Sequence, residues 1–201
     1  QNTIGTKNIL EAFRINKVKK LLYAGSSTYY GNQKGNKKES NKGDFFNPYS
    51  LSKFLGEELS LFYNKKKYVN CNIVRYFNVY GVGQPSKGIY ALVIGIFLNK
   101  KKRNEPLVVF GDGKQRRDFI HVNDVVNANY KILLSKIKGE TFNIGFGKNY
   151  SINYIAKLIS SNIRYAKKRE GEARETLANI DKIKKLLNWK PTIDLKKGLN
   201  L

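Results

Sequence analysis

Apolar and polar positions along this chain switch between two periods. Ile4, Ile9, Leu10 and Phe13 recur at spacings that place them on one side of a helix from residue 2 to about residue 15. The run Lys20-Leu21-Leu22-Tyr23-Ala24-Gly25 then reads as a strand and stops at the hydroxyls of Ser26, Ser27 and Thr28. Pro48 suits a first helical turn. Behind it Leu51, Phe54, Leu55, Leu59 and Phe62 return at helical spacing, which predicts a helix to about Asn64 with those residues as its buried face. Residues 72 to 77 form a second apolar strand. Strand and helix patterns thus alternate from residue 1 to about residue 80, the signature of an α/β layer fold with a parallel sheet.

Further elements follow at wider spacing. Tyr90 to Leu98 is an apolar helix loosened at Gly95, and Leu107 to Phe110 is a strand leading into Gly111-Asp112-Gly113. Asn123 and Asp124 start another helix, where the carboxylate favours the positive end of the dipole. Thr141 to Ile144 is strand-like, a helix capped by Ser151 runs to about Ser160, and two last helices, Asp181 to Leu187 and from Leu195, bury Trp189. The polar stretch 32 to 48 reads as a loop.

A chain of 201 residues can bury a real core and fits one or two small domains. No apolar run reaches the ~18 residues that would cross a bilayer, so a soluble cytoplasmic protein without membrane partners is expected. Cys71 has no cysteine partner and His121 is the only histidine, so neither a disulfide framework nor a usual zinc site is available, and no metal is expected. Cys71 reads as a small core residue, and His121 as core or ribose-proximal packing. The 38 Lys and Arg against 15 Asp and Glu give a net charge of +23, which raises a nucleic-acid reading. The clusters at Lys17 to Lys20, Lys34 to Lys38, Lys65 to Lys67, Lys100 to Arg103 and Lys182 to Lys185 form no single stripe, however, and read as solvated faces. No nucleic-acid partner is expected.

Candidate chemistry lies at Tyr49 and Lys53, one helical turn apart in Tyr49-Ser50-Leu51-Ser52-Lys53. An ammonium beside a phenol favours the phenolate and can make a tyrosine a general base. Ser26, Ser27 and Thr28 lie at a strand's carboxyl end, the edge where open α/β sheets bind ligands. With NxxGTxNxLEA at Asn2 to Ala12, SSTYYG, YSLSK, RYFNVYG, GDGKQRRDFIHVNDV at Gly111 to Val125, FNIG and REGE at Arg169 to Glu172, the chain resembles the extended short-chain dehydrogenases/reductases. Within them it is similar to the NAD-dependent nucleotide-sugar epimerase/dehydratase family, nearest to UDP-glucose and UDP-N-acetylglucosamine 4-epimerases.

That resemblance implies a Rossmann-type parallel sheet domain with a smaller α/β substrate-binding portion. Residues 1–80 would be the remaining part of the NAD-binding domain, 118–144 would pack back on it, and 81–201 would mainly bind the nucleotide-sugar. It implies Ser26, Tyr49 and Lys53 as the catalytic group, and contacts to NAD from Asn2, Ala24, Gly25, Ser26, Tyr49, Lys53 and Tyr76. Asn2 could equally cap its helix, physically the cheaper explanation. The UDP-sugar would meet Ser27, Thr28, Asn78, Val109, Arg117, Arg169, Glu172 and Thr176. Arg117 and Arg169 would bind phosphate, although Arg117 beside Asp118 could simply form an ion pair. Glu172 would accept from a ribose hydroxyl, and small Thr176 would leave room for an N-acetyl group. Family members that dehydrate or decarboxylate carry a carboxylate after the catalytic Ser or Thr. Ser27 and Thr28 stand there, which favours epimerisation.

The family's glycine-rich dinucleotide turn is not present in residues 1 to 201, so a fragment without the first two βαβ units, and a short C-terminal truncation, are expected. Such a piece would expose an apolar sheet edge and hold NAD weakly. A homodimer through two helices per subunit, one of them carrying Tyr49 and Lys53, is also implied. The competing readings are a nucleotide-sugar dehydratase or reductase, a UDP-uronic acid 4-epimerase, an inactive fragment, and a basic binding module.

Overall fold

A computed structural model describes residues 2–88, 91–169 and 171–200. The elements, in chain order, are α1 (Ile4–Ile15), β1 (Leu21–Ser26), a 3-10 turn (Ser27–Tyr30), α2 (Pro48–Lys65), β2 (Cys71–Tyr76), β3 (Asn78–Tyr80) and α3 (Val93–Lys102). Then come β4 (Leu107–Phe110), β5 (Arg116–His121), α4 (Val122–Leu134), β6 (Thr141–Ile144), β7 (Asn149–Ser151), α5 (Ile152–Ile159), β8 (Ile163–Ala166), α6 (Asp181–Leu187) and α7 (Leu195–Gly198).

The expected α/β fold with a parallel sheet is what the chain forms. β1, β2 and β6 make a parallel sheet in that order, with Leu21 opposite Cys71, Ser26 opposite Tyr76 and Tyr76 opposite Ile144. The middle strand β2 is covered on both faces, as an inner strand of a parallel sheet is, and buries Asn72 and Arg75 along with its apolar residues. Cys71 and Ile73 pack with Tyr23 and with Leu61 of α2, whereas Val74 packs with Phe142, Ile144 and the α4 residues Val125, Ala128 and Ile132. Beyond the sheet, β3 pairs in parallel with β5 and β5 pairs antiparallel with β7, while β4 and β8 form a separate parallel pair. These strands and α3, α5 and α7 enclose a second core around Phe97, Leu107, Val109, Phe119 and Ile155. Cys71 is fully buried, and burial pushes its thiol up to about 12.

Helical spacing located α2 and misread its faces. Leu51, Leu55 and Phe62 are exposed, and Phe54 and Leu59 only partly covered, while Ser50, Gly56, Glu57, Ser60 and Tyr63 are buried. At Gly56 the helix lies too close to β1 for any side chain: a Cβ there would meet the Tyr23 hydroxyl oxygen at 2.2 Å. Ser60 folds its hydroxyl back onto the Gly56 carbonyl at 2.8 Å, and Glu57 is drawn inward by a cation described below. In α1 only Leu10 is buried and Phe13 packs beside it, while Ile4 and Ile9 face outward.

Other local expectations change for equally physical reasons. Asn2 is not the cap of α1; its amide donates to Ser52 Oγ at 3.0 Å and ties α1 to α2. Helix α3 begins at Val93, and Tyr90 lies outside the described residues. Gly95 does not loosen it: a Cβ there would lie 2.7 Å from the Pro85 carbonyl, so glycine permits a close approach. His121 caps α4, its Nδ1 accepting from the Asn123 amide at 3.2 Å. Asp124 is buried and accepts from the amides of Thr192 and Ile193, fastening the C-terminal segment. Lys37 departs from the solvated reading of its cluster, being buried with its ammonium donating to the carbonyls of Gln33 and Gly35.

One charged side chain joins most of these pieces. Arg75 of β2 is buried and grips Glu57 of α2 with two bonds, Nη2 to Oε1 at 2.6 Å and Nε to Oε2 at 3.1 Å. Its Nη1 donates to the Tyr30 hydroxyl at 2.9 Å and the Glu39 carbonyl at 3.2 Å. Tyr30 in turn donates to Asn143 Oδ1 of β6 at 2.7 Å, and the guanidinium lies 3.6 Å from the centroid of the Tyr29 ring. Arg75→Met, which strands the Glu57 carboxylate, should lower the unfolding free energy by about 3–5 kcal/mol, and adding Glu57→Met should recover part of that loss. Denaturant unfolding of both variants measures this, and a single-variant loss below about 1 kcal/mol would contradict the network's structural role.

Candidate active site

Strand β1 delivers Ser26 to the carboxyl end of the sheet, where the backbone turns into Ser27–Tyr30. The Ser26 side chain caps that turn, accepting from the Thr28 amide at 3.3 Å and from the Thr28 hydroxyl at 2.9 Å. Gly31 follows at φ +54° with the Asp44 carbonyl 2.0 Å from where a Cβ would sit, so only glycine lets the loop return over the turn. Helix α2 starts nearby under a capping box, Asn47 accepting from the Ser50 amide while Ser50 Oγ receives the Asn47 amide. Tyr49 is half exposed in its first turn, and no hydrogen bond engages its hydroxyl among the described residues. One turn on, Lys53 Nζ donates to the Ala24 carbonyl at 3.0 Å, and its main-chain carbonyl accepts from Tyr23 at 3.0 Å. Burial pushes the Lys53 ammonium pKa down. Lys53 is thereby anchored two residues before Ser26 on the same strand.

The other expected cofactor contacts divide. Ala24 is exposed beside Lys53, and Gly25 is buried with the Val74 carbonyl 2.9 Å from its missing Cβ. Tyr76 turns toward α4, donating to Asn129 Oδ1 at 3.0 Å, and lines none of the cavities described next.

Three cavities share walls and form one cleft. A small one, about 160 Å³, is lined by Ser27, Thr28, Asn47, Ser50, Asn78, Arg117 and Thr176. Asn78 and Arg117 also line a cavity of about 540 Å³, whose far wall is Val108, Phe110 and Ala166. Phe110, Gln115, Arg169 and Glu172 then separate it from a third, about 330 Å³, bounded by Asp112 and Arg174. Seven of the residues expected to meet substrate therefore lie on one cleft. Val109 belongs to a segment expected to meet the base through its backbone; its side chain is buried in the second core, and strand alternation turns the side chains of Val108 and Phe110 to the cavity. The period of two in β4 carried that information. Nothing in the sequence pattern marked Lys100, Gln115, Arg164 and Ala166 as wall residues, and the last two reach the wall through the pairing of β8 with β4.

Charge is distributed unevenly along this cleft. The Arg117 side chain is largely buried, and burial pushes its pKa down. It does not pair with Asp118. That carboxylate faces away and accepts from the amides of Phe146, Gly147 and Ala178 at 2.7–3.0 Å, and burial pushes its pKa up to about 6. Arg117 lies instead 3.5 Å from Glu172, and Arg169, stacked 3.8 Å over the Phe110 ring, lies 3.9 Å from the same carboxylate. Thr176 Oγ1 accepts from the Asp118 amide at 3.1 Å and lies 3.5 Å from Asn78 Oδ1. Among the described residues no cluster of His, Cys, Asp or Glu could hold a metal ion, and no helix is long and apolar enough to cross a membrane. The cleft thus offers the hydroxyls of Ser27, Thr28, Ser50 and Thr176 toward one end, two guanidiniums in the middle and an apolar slot beyond them, while Ser26, Tyr49 and Lys53 are not among the residues lining its three cavities.

Comparison with known proteins gives the family of the chain. Residues 1–145 match the NAD dependent epimerase/dehydratase family. A putative UDP-glucose 4-epimerase of Methanocaldococcus jannaschii is 40% identical over 98% of this chain, which spans 66% of that relative's length. The crystal structure of UDP-glucose 4-epimerase from Thermotoga maritima, with UDP-glucose, superimposes with a TM-score of 0.94 at 32% identity, covering 100% of this chain and 67% of that one. UDP-glucuronic acid 4-epimerase from Bacillus cereus, solved with UDP-glucuronic acid and NAD, gives a TM-score of 0.91 at 31% identity over 100% of this chain and 65% of that one. This chain spans about two thirds of the length of such relatives, and it belongs to the NAD dependent epimerase/dehydratase family.

Proposed function

We propose that this chain supplies the proton-transfer group and the nucleotide-sugar cleft of a NAD-dependent UDP-hexose 4-epimerase. One observation carries the reading: the hydroxyl-lined cavity and the larger cavity share Asn78 and Arg117, so one extended ligand can touch both. A sugar would lie toward Ser26 and Tyr49, its diphosphate between Arg117 and Arg169, and its base against Val108 and Phe110.

The residues present fit the reactive end of NAD. Lys53 uses one of its ammonium N–H donors on Ala24 and has others for a ribose diol, beside the exposed Ala24 surface. When bound, NAD would supply the hydride acceptor, and then the hydride donor, at sugar carbon 4. Tyr49 takes the proton of the 4-hydroxyl as that carbon is oxidised, helped by the positive charge of Lys53, and gives it back on reduction. Ser26 hydrogen-bonds the same oxygen, while Arg117 and Arg169 hold the diphosphate as the 4-keto sugar turns over.

Epimerisation is favoured over elimination because the small cavity is lined by hydroxyls, amides and Arg117, with no Asp, Glu or His among its described walls. Thr176, Ala173, Gly171 and Ser27 leave that end uncrowded, which favours acceptance of an N-acetyl group. The outward row of Leu51, Leu55 and Phe62 on α2 fits a homodimer contact.

The enzyme containing this chain should interconvert UDP-glucose and UDP-galactose with no added oxidant. Tyr49→Phe should lower kcat by about 10²–10⁴ with an unchanged melting temperature, since the hydroxyl holds nothing in the fold. Release of a 4-keto-6-deoxy product, or full activity in the variant, would reject the assignment. Thr176→Tyr should cut turnover of UDP-N-acetylglucosamine by about tenfold or more relative to UDP-glucose, and an unchanged ratio would remove Thr176 from the sugar pocket. Leu55→Glu should convert a dimer to a monomer in sedimentation, whereas a wild-type monomer would defeat the proposed contact.

A further inference from the structure

The charge inventory of the cleft leaves one carboxylate without a settled partner. The two larger cavities are lined by six cationic side chains, Lys100, Arg117, Arg164, Lys168, Arg169 and Arg174, against the carboxylates Asp112 and Glu172. Asp112 is committed: Arg174 holds it with two bonds of 2.9 Å, which keep its carboxyl well below the usual range. Lys100 is paired with Glu105 at 3.1 Å. Glu172 alone among the described lining residues remains for Arg117 and Arg169.

Its geometry is that of a bridge. Oε2 lies 3.5 Å from Arg117 Nη2 and Oε1 lies 3.9 Å from Arg169 Nη1, so each oxygen serves a different guanidinium. Both distances exceed those of a charge-assisted hydrogen bond, about 2.7–2.9 Å, so the carboxylate neutralises the two cations without being locked to either. Arg117 makes a counter-charge necessary, because its guanidinium is largely removed from water and, among the described residues, its only other bond is to the Arg116 carbonyl at 2.9 Å. Glu172 follows Gly171 at φ +72°, a conformation glycine adopts without strain.

We propose that Glu172 is a specificity-determining residue: an internal anion that bridges Arg117 and Arg169 in the free protein and must be displaced by the ligand. Resting on the nucleotide-sugar reading above, this sets what the cleft accepts. An anionic group at only one guanidinium leaves Glu172 pulled by the other and repelled by the newcomer. A diphosphate, which brings charge to both, replaces the bridge completely. Glu172 therefore penalises single anions and favours ligands with two linked phosphates, and the released carboxylate is available to ligand hydroxyls.

Isothermal titration tests this with inorganic pyrophosphate, inorganic phosphate and UDP as probes, on the enzyme containing this chain and its Glu172→Gln and Arg117→Met variants. Glu172 is partly exposed at the surface, and thermal melts confirm that each variant is folded. Glu172→Gln should bind phosphate and pyrophosphate about fivefold more tightly, with the larger gain for phosphate and a gain that shrinks as salt rises. Arg117→Met should weaken UDP. If UDP depends on Arg117 while Glu172→Gln leaves phosphate and pyrophosphate binding unchanged or weaker, the internal-anion proposal is overturned and the nucleotide-sugar reading stands. UDP binding that ignores Arg117 would overturn both.

Discussion

Two halves of the candidate site come from different stretches of chain, and the buried guanidinium of Arg75 holds them to one strand. Through Glu57 it fixes the helix that carries Tyr49 and Lys53. Through Tyr30 and the face of Tyr29 it fixes the turn that begins at Ser26. A charge pair so deep in a protein does little for net stability compared with an apolar pair of the same size, because both ions must leave water. Its value here is geometric: a bidentate fork permits one relative placement of helix and strand, whereas an apolar contact would tolerate sliding. The phenol and the serine hydroxyl need a fixed separation if a proton is to pass between them and a sugar.

The same network explains why α2 is inverted relative to its hydrophobic pattern. Its sheet-facing side carries Glu57, Ser60 and Gly56, residues that would suit solvent in an ordinary amphipathic helix. Close approach excludes a side chain at Gly56, and the Glu57 carboxylate is admitted because Arg75 meets it. The apolar residues left outside are then free for another surface. Periodicity reports that a helix has two faces; which face is buried depends on a partner strand far away in sequence.

Much of the site was legible for a different reason. Ser27, Thr28, Asn78, Arg117, Arg169, Glu172 and Thr176 lie in or near short motifs shared with a known family, and the fold brings them onto one cleft, whereas Ser26, Tyr49 and Lys53 line none of its cavities. The helices and the strands β1, β2, β4 and β6 were placed well for the related reason that their periods are local, whereas β3, β5, β7 and β8 were not foreseen. What stayed hidden depended on three-dimensional neighbours: Val108 and Phe110 rather than Val109 on the cavity wall, His121 as a cap, Asn2 as a tie between helices, and Arg75 as the central anchor. The residue types at those positions were compatible with several roles, and only tertiary pairing chose among them. Overall charge was a poor guide to the cleft, where a single carboxylate, Glu172, lies between two guanidiniums.

The account stands on a sugar being held where Tyr49 and Ser26 can reach its 4-oxygen while its diphosphate spans Arg117 and Arg169. A crystal structure of the enzyme containing this chain, with NAD and a UDP-hexose bound, measures that directly. The account predicts the 4-oxygen within about 3 Å of both the Tyr49 and the Ser26 hydroxyls. A sugar ring lodged instead in the cavity beside Asp112 and Arg174, with Tyr49 facing solvent, would contradict it.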